Sequence, residues 1–145
     1  MSKVQQIACP RCNTTNRVPK DRLSDGPNCG KCRSPLFSGQ PAELSAGTFQ
    51  RFISQTDIPV IVDFWAPWCG PCKAMAPTFS KLAQEMEPDV RLAKLDTQQH
   101  PLPAQQFNIR SIPTLICFKG GKEVGRVSGA LPEPQLRQWI KKSTH

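Results

Sequence analysis

Seven cysteines punctuate the chain, and six of them form three C-x-x-C pairs: Cys9 with Cys12, Cys29 with Cys32, and Cys69 with Cys72. Cysteines at that spacing can hold a soft metal ion, close a structural disulfide, or exchange electrons through a reversible one. Sixteen residues separate the first two pairs, within the interval at which two knuckle turns complete a tetrahedron of sulfurs. Pro10 and Gly30, each following a cysteine, suit those turns. The expected occupant of Cys9, Cys12, Cys29 and Cys32 is one Zn²⁺, structural or, because oxidation of its thiolates would release it, redox-sensitive, although tetrahedral S₄ geometry also serves iron.

Cys69 and Cys72 lie in "DFWAPWCGPCK" and have no second unused C-x-x-C with which to build a four-ligand site. Cys117 is the one cysteine left, with no histidine beside it. A structural bridge is a poor fit too, because the loop closed would be tiny. A reactive dithiol suits the context. Cys69 falls between a strand-like run and a helix, where free N–H groups and the helix dipole favour a thiolate. Pro71 fits the first helical turn, where its missing N–H costs nothing. Cys72 then lies one turn inside, shielded, and able to resolve a mixed disulfide formed at Cys69.

Those thiols need elements to position them. "PVIVDFWA" is a near-continuous apolar run with β-branched residues, typical of a strand buried on both faces. "PCKAMAPTFSKLAQEME" carries Met75, Phe79, Leu82 and Met86 at helical spacing, with Pro77 as a kink and Pro88 as its close. "AGTFQRFISQ" offers one apolar helix face, "VRLAKLD" alternates as a strand, and "PLPAQQFN" is a short helix or turn. "PTLICFKGGKEVGRVSG" spells two strands joined across Lys119 to Lys122. "EPQLRQWIKKS" is a final amphipathic helix. This order implies an α/β fold, a mixed central sheet covered by helices. Ahead of it, the short turn-rich segment around the first four cysteines has too few apolar residues to fold without a metal or disulfides. Arg33 to Pro41 has the composition of a linker. The expected division is 1–37 for the metal module with its linker and 38–145 for the main domain.

The formal charge of +8 is uneven. Seven Lys/Arg against two Asp make residues 1–40 basic, whereas twelve against nine Asp/Glu leave 41–145 nearly balanced. Four thiolates on one Zn²⁺ would offset about two of those positive charges. Without interleaved aromatics for base stacking, the basic residues form a solvated surface rather than a nucleic-acid footprint. No apolar run suits a signal peptide or approaches the ~20 residues of a membrane span. The expected setting is the cytoplasm, where thiols stay reduced, with the protein monomeric and off the membrane.

Residues 40–145 resemble the thioredoxin family through "WCGPCK", the preceding "VDFWA", "AKLD", "IPT" at 112–114 and "FKGG…SGAL", in that order. Residues 7–34 resemble a zinc ribbon, and the combination is similar to the bacterial thioredoxin 2 type. The resemblance implies a thioredoxin fold and a protein-disulfide reductase served by an NADPH-dependent thioredoxin reductase. Asp63 would accept the proton of Cys72, with Lys94 beside it. Pro113 would be a cis-proline presenting the backbone of Ile112 to a client strand. Trp68, with Gly70 and Pro71, would form the docking surface around Cys69, and Trp65 would pack beneath. The uncharged Gly70-Pro71 dipeptide stabilises the thiolate little, which favours reduction over oxidation. Cys117 is expected to act as a small buried hydrophobe, and His100 and His145 as surface residues. A different class of reading is a zinc-dependent binding module or holdase that uses the main domain as a scaffold.

Overall fold

The structure, a computed structural model, describes residues 3–145. Its N-terminal part is a hairpin of β1 (Val4–Ala8) and β2 (Thr15–Pro19), paired antiparallel. A 3-10 turn at Lys20–Arg22 follows, then a loop closed by an isolated bridge between Asn28 and Pro35. Sequence reading places turns here but no strands. The pairing forms because the first knuckle turns the chain back on itself, with the Cys9 amide donating to the Thr14 carbonyl at 2.9 Å.

The larger sheet contains β3 (Ala42–Leu44), β4 (Val60–Trp65), β5 (Arg91–Asp96), β6 (Thr114–Lys119) and β7 (Lys122–Ser128), in the order β3-β5-β4-β6-β7. β3, β5 and β4 run parallel, β6 pairs antiparallel with β4, and β7 pairs antiparallel with β6. Helices α1 (Phe49–Ser54), α2 (Gly70–Met86), α3 (Pro101–Gln106) and α4 (Glu133–Ser143) connect and cover them. The mixed sheet flanked by helices is the architecture expected from the sequence.

Alternation along each strand divides the core in two. Val62, Phe64, Ala93, Leu95, Ile116 and Phe118 meet Phe49, Phe52 and Ile53 of α1 on one face. Ile61, Leu92, Leu115 and Cys117 meet Met75, Phe79 and Leu82 of α2 and Leu136 and Ile140 of α4 on the other. Each such fully buried large side chain contributes roughly 1.5–3 kcal/mol. Covered on both faces, β4 tolerates almost no polar residue, which is why its run is apolar apart from Asp63. Cys117 packs inside the second cluster, and burial pushes its thiol up to about 11. The β6–β7 turn uses Gly120 and Gly121 at φ +59° and +80°, as a tight two-residue hairpin turn demands. A Cβ on Gly121 would also come within 3.2 Å of Ser54 Cα.

The N-terminal hairpin docks against the start of β4. Asp57 holds the edge of β1, accepting the Gln6 amide at 2.6 Å while its own amide donates to the Gln6 carbonyl at 2.8 Å. Ile58 joins Ile7, Val18, Leu23 and Leu36 in a third apolar cluster. The stretch read as a linker is thus built into the packing: Leu36 is fully buried, and its carbonyl accepts from the Arg91 guanidinium. Arg91 stacks 4.5 Å from the Phe37 ring centroid and pairs with Glu87 at 3.1 Å. Desolvation outweighs mutual attraction for both partners, raising Glu87 to about 7 and lowering Arg91 to about 10.

Candidate active site and metal centre

β4 ends at Trp65 with its last carbonyl held twice by Thr97, through the amide at 2.8 Å and the hydroxyl at 3.0 Å. The chain then turns, and Cys69 becomes the N-cap of α2 in extended conformation, at φ −86° and ψ 110°. Its Sγ accepts the Cys72 amide at 3.2 Å, occupying an amide that a helix start leaves without an intrahelical partner. Pro71 stands at the first helical positions, where no N–H is needed. Cys69 and Cys72 are joined as a disulfide. Neither sulfur is freely exposed, since Cys69 is 4% and Cys72 2% accessible.

Across from the helix start, the Ile112 carbonyl oxygen lies 3.8 Å from Cys69 Sγ, and the Ile112–Pro113 peptide is cis. Trp68, Cys69, Gly70, Pro71 and Ile112 line a groove of about 440 Å³. Of the residues singled out in the sequence for client docking, Trp68, Gly70, Pro71 and Ile112 lie in this lining, whereas Pro113 is buried and not part of it. The structure adds Thr97, Ala104, Ile109, Arg110 and Ser111 to the lining. Nothing in local sequence marks these five; they arrive through the fold, from just beyond β5, from α3 and from the α3–β6 connection. Trp68 projects outward, 69% exposed.

Asp63 lies on the strand face covered by α2, between Lys94 of β5 and Leu115 of β6 in register. It is 1% exposed, and neither carboxylate oxygen has a hydrogen-bond partner among the described residues. Burial raises its carboxyl to about 7, with the Lys94 charge opposing the rise. A carboxylate so poised can take or give a proton near neutrality. Lys94 Nζ stands 4.3 Å from the Trp65 ring centroid, a cation–π seat that turns Trp65 into packing for the lysine.

The other four-cysteine group is at the opposite end of the sheet. The sulfurs of Cys9, Cys12, Cys29 and Cys32 all lie within 4.8 Å of one another, with Cys9–Cys32 and Cys12–Cys29 at 3.6 Å. A tetrahedral Zn²⁺ with bonds of about 2.3 Å requires sulfur separations of roughly 3.8 Å, so the donor set and its size fit the ion. Backbone amides point at the sulfurs as a thiolate needs: Arg11 and Cys12 donate to Cys9, and Lys31 to Cys29. Asn16 Nδ2 donates to Cys29 at 3.5 Å while its Oδ1 accepts the Gly30 amide, tying β2 to the second knuckle. No ribbon residue lines the groove at Cys69. With docking at the N-terminal end of β4 and the disulfide beyond its C-terminal end, the two sites are on the order of 20 Å apart. His100 joins neither site; its Nδ1 accepts the Ala46 amide at 3.1 Å.

Comparison with known proteins agrees with this two-part organisation. Residues 40–142 match the family model described as Thioredoxin, and residues 8–34 match the one described as Thioredoxin 2, N-terminal. Thioredoxin C-3 of Corynebacterium nephridii is 47% identical over 134 residues, covering 92% of this chain and 92% of its own. Thioredoxin 1 of Nostoc sp. is 46% identical over 101 residues, 70% of this chain and 94% of the relative. The chloroplastic M-type thioredoxin of Chlamydomonas reinhardtii is 37% identical over 128 residues, 86% of this chain and 91% of the relative. The chain belongs to the thioredoxin family of disulfide-reducing oxidoreductases and carries the N-terminal zinc-ribbon segment of the thioredoxin 2 type.

Proposed function

We propose that this protein reduces client disulfides through the Cys69–Cys72 dithiol, with Cys69 as the attacking sulfur. The observation that carries the reading is the N-cap position of Cys69, facing a groove, with Cys72 held one turn behind it. The Cys69 thiolate attacks one client sulfur, forming a mixed disulfide and expelling the other client sulfur as a thiolate. Asp63 takes the proton of Cys72, whose thiolate then attacks Cys69 Sγ. The Cys69–Cys72 bond forms, the second client sulfur leaves, and two electrons have passed to the client. Trp68, Gly70 and Pro71 bound the docking surface, Pro113 holds the Ile112 backbone toward the client, and Lys94 tempers the charge on Asp63.

The oxidised form requires an external reductant, which we assign to an NADPH-dependent thioredoxin reductase. Cys9, Cys12, Cys29 and Cys32 would hold one Zn²⁺, which supplies folding energy to a segment with a small core of its own. The division at residue 37 follows the same logic, though Leu36 and Phe37 fasten the module to the main domain. The cytoplasm is the setting this reading takes, because both thiol sites depend on a reducing compartment.

Insulin disulfide reduction tests the reading with wild type, Cys69→Ser, and a variant carrying serine at positions 9, 12, 29 and 32. Activity should vanish in the Cys69 variant and persist in the four-serine variant. Activity that survives Cys69→Ser and disappears with the four serines would instead favour a zinc-dependent binding module.

A further inference from the structure

Residues 40–142 contain five arginines, and four are engaged by the protein itself. Arg51 donates to the Asn13 carbonyl, Arg91 to Glu87 and the Leu36 carbonyl, Arg126 to Glu123 and the Phe107 carbonyl, and Arg137 to Glu85. Arg110 alone has no hydrogen bond or ion pair among the described residues, and it is exposed. It is also the one charged residue lining the groove beside Cys69, whose walls are otherwise mainly apolar: Trp68, Pro71, Ala104, Ile109 and Ile112. No acidic side chain lines the groove with it.

We propose that Arg110 is a specificity residue, selecting clients whose reactive cysteine is flanked by an aspartate or glutamate and an apolar side chain. This rests on the dithiol reading above. A guanidinium presents a fixed fork to a carboxylate and forms two parallel hydrogen bonds with it. Beside an apolar wall part of that pair is shielded from water, so the attraction is worth more than at an open surface. Arg110 lies two residues before Ile112, the backbone against which the client pairs. The matching carboxylate therefore falls about two residues from the client cysteine, within the span of two extended residues, roughly 7 Å. The apolar neighbour rests on Trp68 and Ile109.

The test uses the reduced full-length protein and peptide disulfides that differ only in Glu or Gln two residues from the cysteine, on either side. The readout is the ratio of kcat/KM for the Glu peptide to that for the Gln peptide within each protein, so a general loss in a variant cancels. Wild type should favour Glu by about three- to fivefold at low ionic strength, with the preference shrinking at high salt. Arg110→Gln should bring the ratio to about one, and Arg110→Glu should carry it below one. A wild-type ratio of one, or a ratio unmoved by Arg110→Glu, would overturn the proposal. Reduction of uncharged hydroxyethyl disulfide by wild type separates the two levels. If it proceeds while the peptide ratio is one, only the selectivity is refuted; if it fails, the dithiol reading falls as well.

Discussion

Asp63, the proton acceptor proposed for Cys72, also makes stability depend on pH. Its carboxyl is lifted to about 7 by burial, against an ordinary value of 3.8. The folded state therefore holds this proton more tightly than the unfolded chain does. The associated stabilisation is complete below about pH 4 and is lost as pH rises through about 7. Asp63→Asn should then raise the melting temperature at pH 8, by an amount equivalent to about 2–4 kcal/mol, and leave it nearly unchanged at pH 4. The same substitution should slow release of the client from the mixed disulfide, because Cys72 loses its proton acceptor. Thermal unfolding at the two pH values and stopped-flow release kinetics check both halves. Cys72→Ser should go further and accumulate a stable client adduct, which peptide mapping should locate on Cys69 and on no other cysteine. Much of this scale was legible beforehand: three cysteine pairs announce themselves by spacing, and an aspartate inside an apolar run is conspicuous. Arg110 and Thr97 were not legible, because what matters about them is proximity to Cys69 across long stretches of chain.

At the scale of elements, period and length decided what could be read. β4 is six residues of near-unbroken hydrophobicity and α2 is seventeen residues of helical repeat, so both stand out. β3 is three residues long, and β1 and β2 mix polar with apolar side chains; they exist because partners and knuckle turns complete them, which no local pattern encodes. The Glu87–Arg91 pair joins the C-terminal end of α2 to the start of β5 and is invisible for the same reason. Both side chains are nearly inaccessible, at 4% and 1%, although charged residues read as surface. Removing one member of such a pair strands the other. Arg91→Met should cost about 3 kcal/mol at pH 8. The loss should be smaller near pH 5.5, where Glu87 takes up a proton that neutralises it. Urea unfolding of wild type and variant at each pH measures the difference, and an equal loss at both would contradict this account of the pair.

The whole molecule separates its two sulfur sites along the axis of one sheet. The four-cysteine cluster is fastened near Asp57, Ile58 and Arg91, at the end where β4 and β5 begin, whereas the disulfide lies beyond the end of β4. Metal loss should therefore loosen the N-terminal hairpin without disturbing the groove. Zinc removal by a chelator at neutral pH should make residues 3–37 susceptible to proteolysis while insulin reduction stays within about twofold of the metal-loaded rate. A loss of reductase activity in step with zinc release would show a coupling that this geometry does not provide. Among the described residues no helix is long and apolar enough to cross a membrane.

Disulfide reduction by this protein rests above all on the reactivity of the sulfur at the start of α2. The direct measurement is the rate of iodoacetamide alkylation of the reduced, metal-loaded protein at pH 7, with the modified position identified by mass spectrometry. Cys69 should react first and faster than free cysteine under the same conditions. Alkylation no faster than free cysteine, or directed to Cys72 or Cys117 ahead of Cys69, would contradict it.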